Sequence, residues 1–141
     1  MTGLWVLVAT LVAGLVAGGV LAARNGRIRG SGRAGQTPRT LPGPVVEALD
    51  PAASVTLVQL STTFCAPCRQ ARTVLAGLAE RTEGLHHVEL DVTNRPQVAQ
   101  ELGVLRTPTT LALGRAGEEL LRVSGVPRSG ELLAALEPHL G

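Results

Sequence analysis

Cys65 and Cys68 are the only cysteines in this chain of 141 residues, and they stand in the stretch Phe64-Cys65-Ala66-Pro67-Cys68-Arg69. Two cysteines with two residues between them can close a small disulfide ring and reopen it, which is exchange of an electron pair with other thiols. The attacking species in that exchange is a thiolate, so one sulfur must lose its proton near neutral pH. The unpaired N–H groups and the positive dipole end of a helix N-terminus favour that loss.

The flanking sequence supplies such a helix. Val55-Thr56-Leu57-Val58-Gln59-Leu60 is aliphatic and β-branched, as a buried strand would be, while Ala71, Val74, Leu75 and Leu78 recur at helical spacing. The cysteines therefore fall where a strand hands over to a helix. Pro67 is tolerated in the first turn, where no intrahelical acceptor is lost with its N–H. Cys65 is the expected nucleophile, and Cys68, one turn further in, the less exposed resolving thiol.

Two other uses of a cysteine pair compete. A closed zinc site needs four ligands, and the other candidates are His86, His87 and His139. Neighbouring histidines on a strand point to opposite faces, which keeps both from one metal. A purely structural disulfide is the second alternative, but so short a loop constrains few unfolded conformations and stabilises little.

All thirteen basic residues are Arg, and five of them (Arg24, Arg27, Arg29, Arg33, Arg39) fall in one acid-free stretch. From residue 42 onward eight Arg face eleven acidic residues, so the basic character belongs to that stretch. No nucleic-acid partner is expected, because aromatic side chains for base stacking are also missing.

Leu4 to Ala23 is an uncharged run rich in Leu, Val, Ala and Gly, long enough at ~1.5 Å per residue to cover a ~30 Å hydrocarbon core. It reads as an uncleaved single-pass transmembrane helix (residues 4–23), with Trp5 suited to the interface. A cleavable signal peptide would carry a basic residue before the apolar run, and Met1-Thr2-Gly3 has none. The Arg cluster after the span predicts, by the positive-inside rule, a domain on the cytoplasmic side; cleavage or inversion would place it outside. Residues 24–44 read as an Arg-, Gly- and Pro-rich flexible linker, and Val45 to Leu49 as either a strand or a helical turn.

Beyond the cysteine helix, Leu85 to Val92 is a second strand, parallel to the first because a helix lies between them. A short helix near Pro96 to Leu102 follows, with Thr93 or Asn94 as its cap. Val104 to Leu113 enters a strand through Thr107-Pro108, and Glu118 to Ser124 folds back on it as a hairpin. A last helix, capped by Ser129, carries Leu132, Leu133, Leu136 and Leu140. The fold class is α/β, a central mixed sheet with helices on both faces.

Residues 45–141 resemble the thioredoxin superfamily. The resemblance rests on Phe64-Cys65-Ala66-Pro67-Cys68 at a strand-to-helix junction, on Thr107-Pro108 forty residues later in the place of the family's cis-proline, and on Gly125 after the last strand. It implies a thioredoxin-like fold preceded by the apolar helix. It also implies that Cys65 forms a mixed disulfide that Cys68 resolves, and that the backbone beside Thr107 pairs with the substrate chain. Pro108 in the cis form would leave no N–H there, which the family pattern associates with excluding metal. Phe64, Ala66 and Pro67 would shape the docking surface, with Arg106 and Arg69 flanking it.

The departures from the family pattern are specific. Phe64 replaces a Trp, Ala66 a Gly, and Ser61 stands where a second Trp is usual. Gln59 occupies the place of a buried Asp and Glu89 that of a Lys. Glu89 is therefore expected either to take over proton transfer to Cys68, its pKa raised by burial, or to point to solvent or pair with an Arg. His86 and His87 read as strand-edge residues.

The resulting expectation is a membrane-tethered thiol-disulfide oxidoreductase that needs no cofactor or metal. Its partners would be protein thiols and disulfides and an upstream thiol reductant or oxidant. An extracytoplasmic enzyme serving secreted or cytochrome-maturation thiols, and a redox-inert binding module on the same fold, are the competing readings.

Overall fold

A computed structural model describes residues 1–30 and 40–141. Helix α1 (Thr2–Arg24) contains the expected span, and none of its residues is buried. Its 23 residues extend about 35 Å, long and apolar enough to cross a membrane. Its one hydroxyl inside the apolar run, on Thr10, donates to the Val6 carbonyl at 2.8 Å, so that group is satisfied within the helix.

The chain does not leave α1 as a free tether. After Asn25, Gly26 turns it with φ +75°, and strand β1 (Ile28–Gly30) pairs antiparallel with β5 (Glu119–Ser124), Ile28 opposite Val123. Part of the stretch expected to be linker is thus a sheet edge: β5 offers unpaired backbone groups there, and Ile28 packs on the adjoining core. Residues 31–39 of that expected linker lie outside the described residues. The undecided segment near Val45 is helical, α2 (Gly43–Glu47), entered through Pro42 and Pro44 and burying Val45.

From residue 55 the order matches the expectation: β2 (Val55–Ser61), α3 (Ala66–Arg81), β3 (Leu85–Asp91), α4 (Pro96–Glu101), β4 (Thr109–Gly114), β5 and α5 (Ser129–Leu140). The sheet runs β1-β5-β4-β2-β3, with β2 and β3 parallel and the other pairs antiparallel. Every residue of β2 is buried, because helices cover both of its faces; this is why its sequence is a nearly unbroken apolar run. Val55 and Leu57 pack with Leu75 and Leu78 of α3 and Leu132 and Leu136 of α5. Val58 and Leu60 pack on the other side with Val45, Val98 and Leu102. Each such fully buried side chain contributes about 1.5–3 kcal/mol relative to exposure, which anchors the strand that ends at the cysteines.

The expected helix caps are not made: Arg95 rather than Thr93 or Asn94 is the N-cap of α4, Arg128 rather than Ser129 is that of α5, and neither cap makes a side-chain hydrogen bond. Thr93 instead donates its N–H to Asp91 Oδ1 at 2.8 Å, and its hydroxyl accepts from the Thr63 N–H at 2.8 Å. The side chain thus ties the loop after β3 to the loop that carries the cysteines.

Candidate active site

Cys65 is the N-cap of α3, with extended backbone angles, and its Sγ accepts from the Cys68 N–H at 3.2 Å. Ala66 and Pro67 occupy the first two helical positions. The two sulfurs are bonded, with S–S 1.99 Å and Cα atoms 5.2 Å apart. Cys65 is partly exposed, whereas Cys68 is 2 % exposed. One sulfur can be reached by an incoming disulfide and the other only through the first. A Cys65 thiolate would sit at the helix N-terminus on the donor that Sγ already uses, so local geometry favours its charged form.

Across from this turn the Thr107-Pro108 peptide bond is cis. Thr107 Oγ1 lies 3.9 Å from Cys65 Sγ and 3.2 Å from Thr62 Oγ1, so the loop before β4 touches both the nucleophile and the end of β2. Pro108 is buried, and its carbonyl accepts from the Gly125 N–H at 2.8 Å. Phe64, 96 % exposed and held at φ +62°, stands on one side of Cys65, with Leu105, 99 % exposed, on the loop leading to the proline. Arg106 and Arg69 are exposed and belong to the rim. Leu105 was not among the residues expected to matter; an apolar residue beside a Thr-Pro carries no mark in sequence of whether it faces core or solvent.

Below the disulfide, the parallel register sets Gln59 opposite Glu89 and Leu57 opposite His87, which brings Gln59, His87 and Glu89 to the sheet face under α3. Gln59 is fully buried. Its Nε2 donates to the Cys68 carbonyl at 2.8 Å, and its Oε1 is 3.0 Å from His87 Nε2. Burial holds the His87 pKa below the usual histidine range, against the opposing pull of Glu89. His86 points to the other face, near Asp50 at 3.7 Å. His87 is accordingly not an idle strand-edge residue. Alternation along β3 and the presence of Gln59 two residues past Leu57 were the signals available for it.

Glu89 takes the second of its two expected courses. It accepts a short hydrogen bond from Arg72 Nε, and this bond first, then hydrogen bonding from Ser61, holds its carboxyl below the usual range despite partial burial. The expected rise in pKa is therefore corrected to a fall. Arg72 follows Cys68 by four residues on α3, so one helical turn delivers a cation to the spot where a proton acceptor had been expected. A groove of about 330 Å³ runs from Phe64 and the disulfide past Arg69 to Arg72, Glu89 and Asp91.

The chain that carries this partly exposed N-cap sulfur, its buried partner and the cis-proline loop is similar to known proteins. A sequence model of the family described as Thioredoxin matches residues 46–138. The chain belongs to the thioredoxin family. Thioredoxin 1 of Nostoc is 33 % identical over 85 residues, covering 60 % of this chain and 78 % of the relative. Thioredoxin-2 of Pyricularia oryzae is 36 % identical over 84 residues, 58 % of this chain but only 48 % of that protein. The chain thus spans about half the length of this latter relative. The solved structure of a thioredoxin from Nicotiana alata, 31 % identical, superposes with a TM-score of 0.55 over 62 % of this chain and 75 % of that one. Relative to the thioredoxin pattern, the present chain keeps the cysteines and the cis-proline, while Gln59, His87 and the Arg72–Glu89 pair occupy the layer beneath them.

Proposed function

We propose that this thioredoxin-family protein is a thiol-disulfide oxidoreductase acting on protein substrates, anchored to a membrane by α1. The observation that carries the reading is the Cys65–Cys68 bond at the mouth of α3, with only the first sulfur accessible. In the reducing direction the Cys65 thiolate attacks a substrate disulfide, forming the mixed disulfide and expelling one substrate thiolate. The Cys68 thiolate then attacks Cys65 Sγ, expels the second substrate thiolate and closes the Cys65–Cys68 bond. Two electrons pass from the dithiol to the substrate, whose two thiolates take up the two protons the cysteines released. An external thiol reductant must restore the dithiol; in the reverse direction the same steps oxidise a substrate dithiol. The backbone beside Thr107 would receive the substrate as an added strand, with Phe64, Ala66, Pro67 and Arg106 around it.

The Arg residues at the end of α1 and just after it, Arg24, Arg27 and Arg29 among them, support a domain on the cytoplasmic face. A C-terminal reporter that is active only on one side of the membrane decides the orientation, and activity only outside would select the extracytoplasmic reading.

The chemical test is reduction of insulin by the full chain in detergent with a small thiol as electron source. Turnover by the wild type, none by Cys65→Ser, and a trapped mixed disulfide in Cys68→Ser are the expected results. Equal background rates for wild type and Cys65→Ser would leave a redox-inert binding module instead.

A further inference from the structure

The point where α1 meets the domain lies at the same end of the sheet as the cysteines. Asn25 closes α1 by donating its N–H toward the Leu21 and Ala22 carbonyls, and Gly26, the second residue past the helix, is already buried in the domain. Its N–H donates to the Ser124 carbonyl at 2.8 Å. It is held at φ +75°, and a Cβ there would come within 2.6 Å of the Val126 carbonyl oxygen. Ile28, Arg29 and Gly30 then pair along β5. At no more than ~3.6 Å per residue, the docked turn begins within ~7 Å of Arg24, whereas a free linker of the length expected from sequence would wander roughly 25 Å.

From that turn the contacts lead directly to the nucleophile. Gly125 lies against Asn25, its N–H bonds the Pro108 carbonyl, and Thr107 touches Cys65 Sγ. The opposite end of the sheet holds Ser54, Gly84 and Leu140 in mutual proximity, together with the turn at Gly114–Gly117. Since no residue of α1 is covered by the domain, the helix projects away from it. The end of the sheet at which it leaves carries exposed Arg24, Arg27 and Arg106, which complement anionic headgroups, and the almost fully exposed Phe64 and Leu105. Two large apolar side chains left in solvent beside a reactive sulfur mark a contact surface.

We infer that the active-site end of the domain faces the bilayer, and that the substrates are disulfides or dithiols of membrane-anchored polypeptides held close to the headgroup region. The inference rests on α1 serving as the membrane anchor and deepens the redox reading by specifying where its substrate lies. A soluble substrate would have to enter between the domain and the membrane; a cysteine pair next to a transmembrane segment is already there.

The test uses the full chain in vesicles of phosphatidylcholine and phosphatidylglycerol containing a lipid with a nitroxide on its headgroup. A fluorescent amino acid is placed at position 105 or, separately, at position 83 beside the far-end turn at Gly84. Several-fold stronger quenching at position 105 is expected, because a domain of about 100 residues, with a radius of gyration of ~13 Å, carries its far end out of nitroxide range. Gly26→Val, which cannot hold the docked turn, should equalise the two positions while leaving insulin reduction in detergent unchanged. Flotation of the same vesicles separates two failures. A chain that does not float overturns the anchor and the inference with it; one that floats with equal quenching at both positions in the wild type overturns the inference alone.

Discussion

Gln59 Nε2 is 2.8 Å from the main-chain oxygen of Cys68, so a side chain of β2 reaches under the disulfide turn as a hydrogen-bond donor. A carbonyl can only accept, which assigns the amide's orientation; Oε1 must then accept from His87, whose Nε2 carries the proton. Where a carboxylate would be available to take a proton, this chain has a neutral amide whose four-atom geometry ties the first turn of α3 to the sheet.

That linkage should be visible as energetic coupling. Gln59→Leu leaves the Cys68 carbonyl without its side-chain donor, and His87→Leu leaves Gln59 Oε1 unpaired at a fully buried site. Each is expected to cost about 1–3 kcal/mol in urea unfolding. The double variant should cost clearly less than the sum, because each single change orphans the group that the other removes. Simple additivity would show that the two side chains do not act through one another.

A pH dependence follows from His87. Its folded-state pKa lies below the unfolded value because burial opposes the charge. Below about pH 6.5 the unfolded chain therefore binds a proton that the folded chain does not, and stability falls as pH drops toward the folded pKa. His87→Gln, which can still donate to Gln59, should flatten this part of the stability profile. A wild-type profile no steeper than that of His87→Gln would contradict it.

Glu89→Gln tests the carboxylate bound to Arg72. Its depressed pKa means that the pair stabilises the fold above the ordinary carboxylate range and loses that effect as pH falls through the folded pKa. The variant should be slightly less stable near neutral pH and equal to wild type in strong acid, the pair being partly exposed and screened. Its rate of disulfide reduction should keep the wild-type pH profile; a shifted profile would restore Glu89 as a proton carrier.

Thr110, cross-strand from Gln59 on β4, is fully buried, and its hydroxyl has no hydrogen-bond partner among the described residues. Thr110→Val keeps the branched shape and removes the unpaired polar group. A gain of about 1 kcal/mol in unfolding free energy is expected, and a loss would indicate that the hydroxyl is satisfied in solution.

Much of this architecture was legible in the one-dimensional pattern. The aliphatic and β-branched run located β2, the helical spacing of Ala71, Val74, Leu75 and Leu78 located α3, and the residue types at 65, 68 and 108 named the chemistry. These are local properties, set by how each backbone period presents side chains to one face. Which face then meets which neighbour is not local. Sequence could place Glu89 and His87 on the same side of β3, but the packing of α3 across that strand brought Arg72 to the first and left the second to Gln59. Likewise three residues with a single apolar side chain cannot announce β1; only the open edge of β5, formed by residues almost a hundred positions later, supplies the backbone partners that hold it there. The identity of the reactive atoms belongs to the sequence, and their surroundings, including the corner from which the apolar helix departs, belong to contacts between segments far apart along the chain.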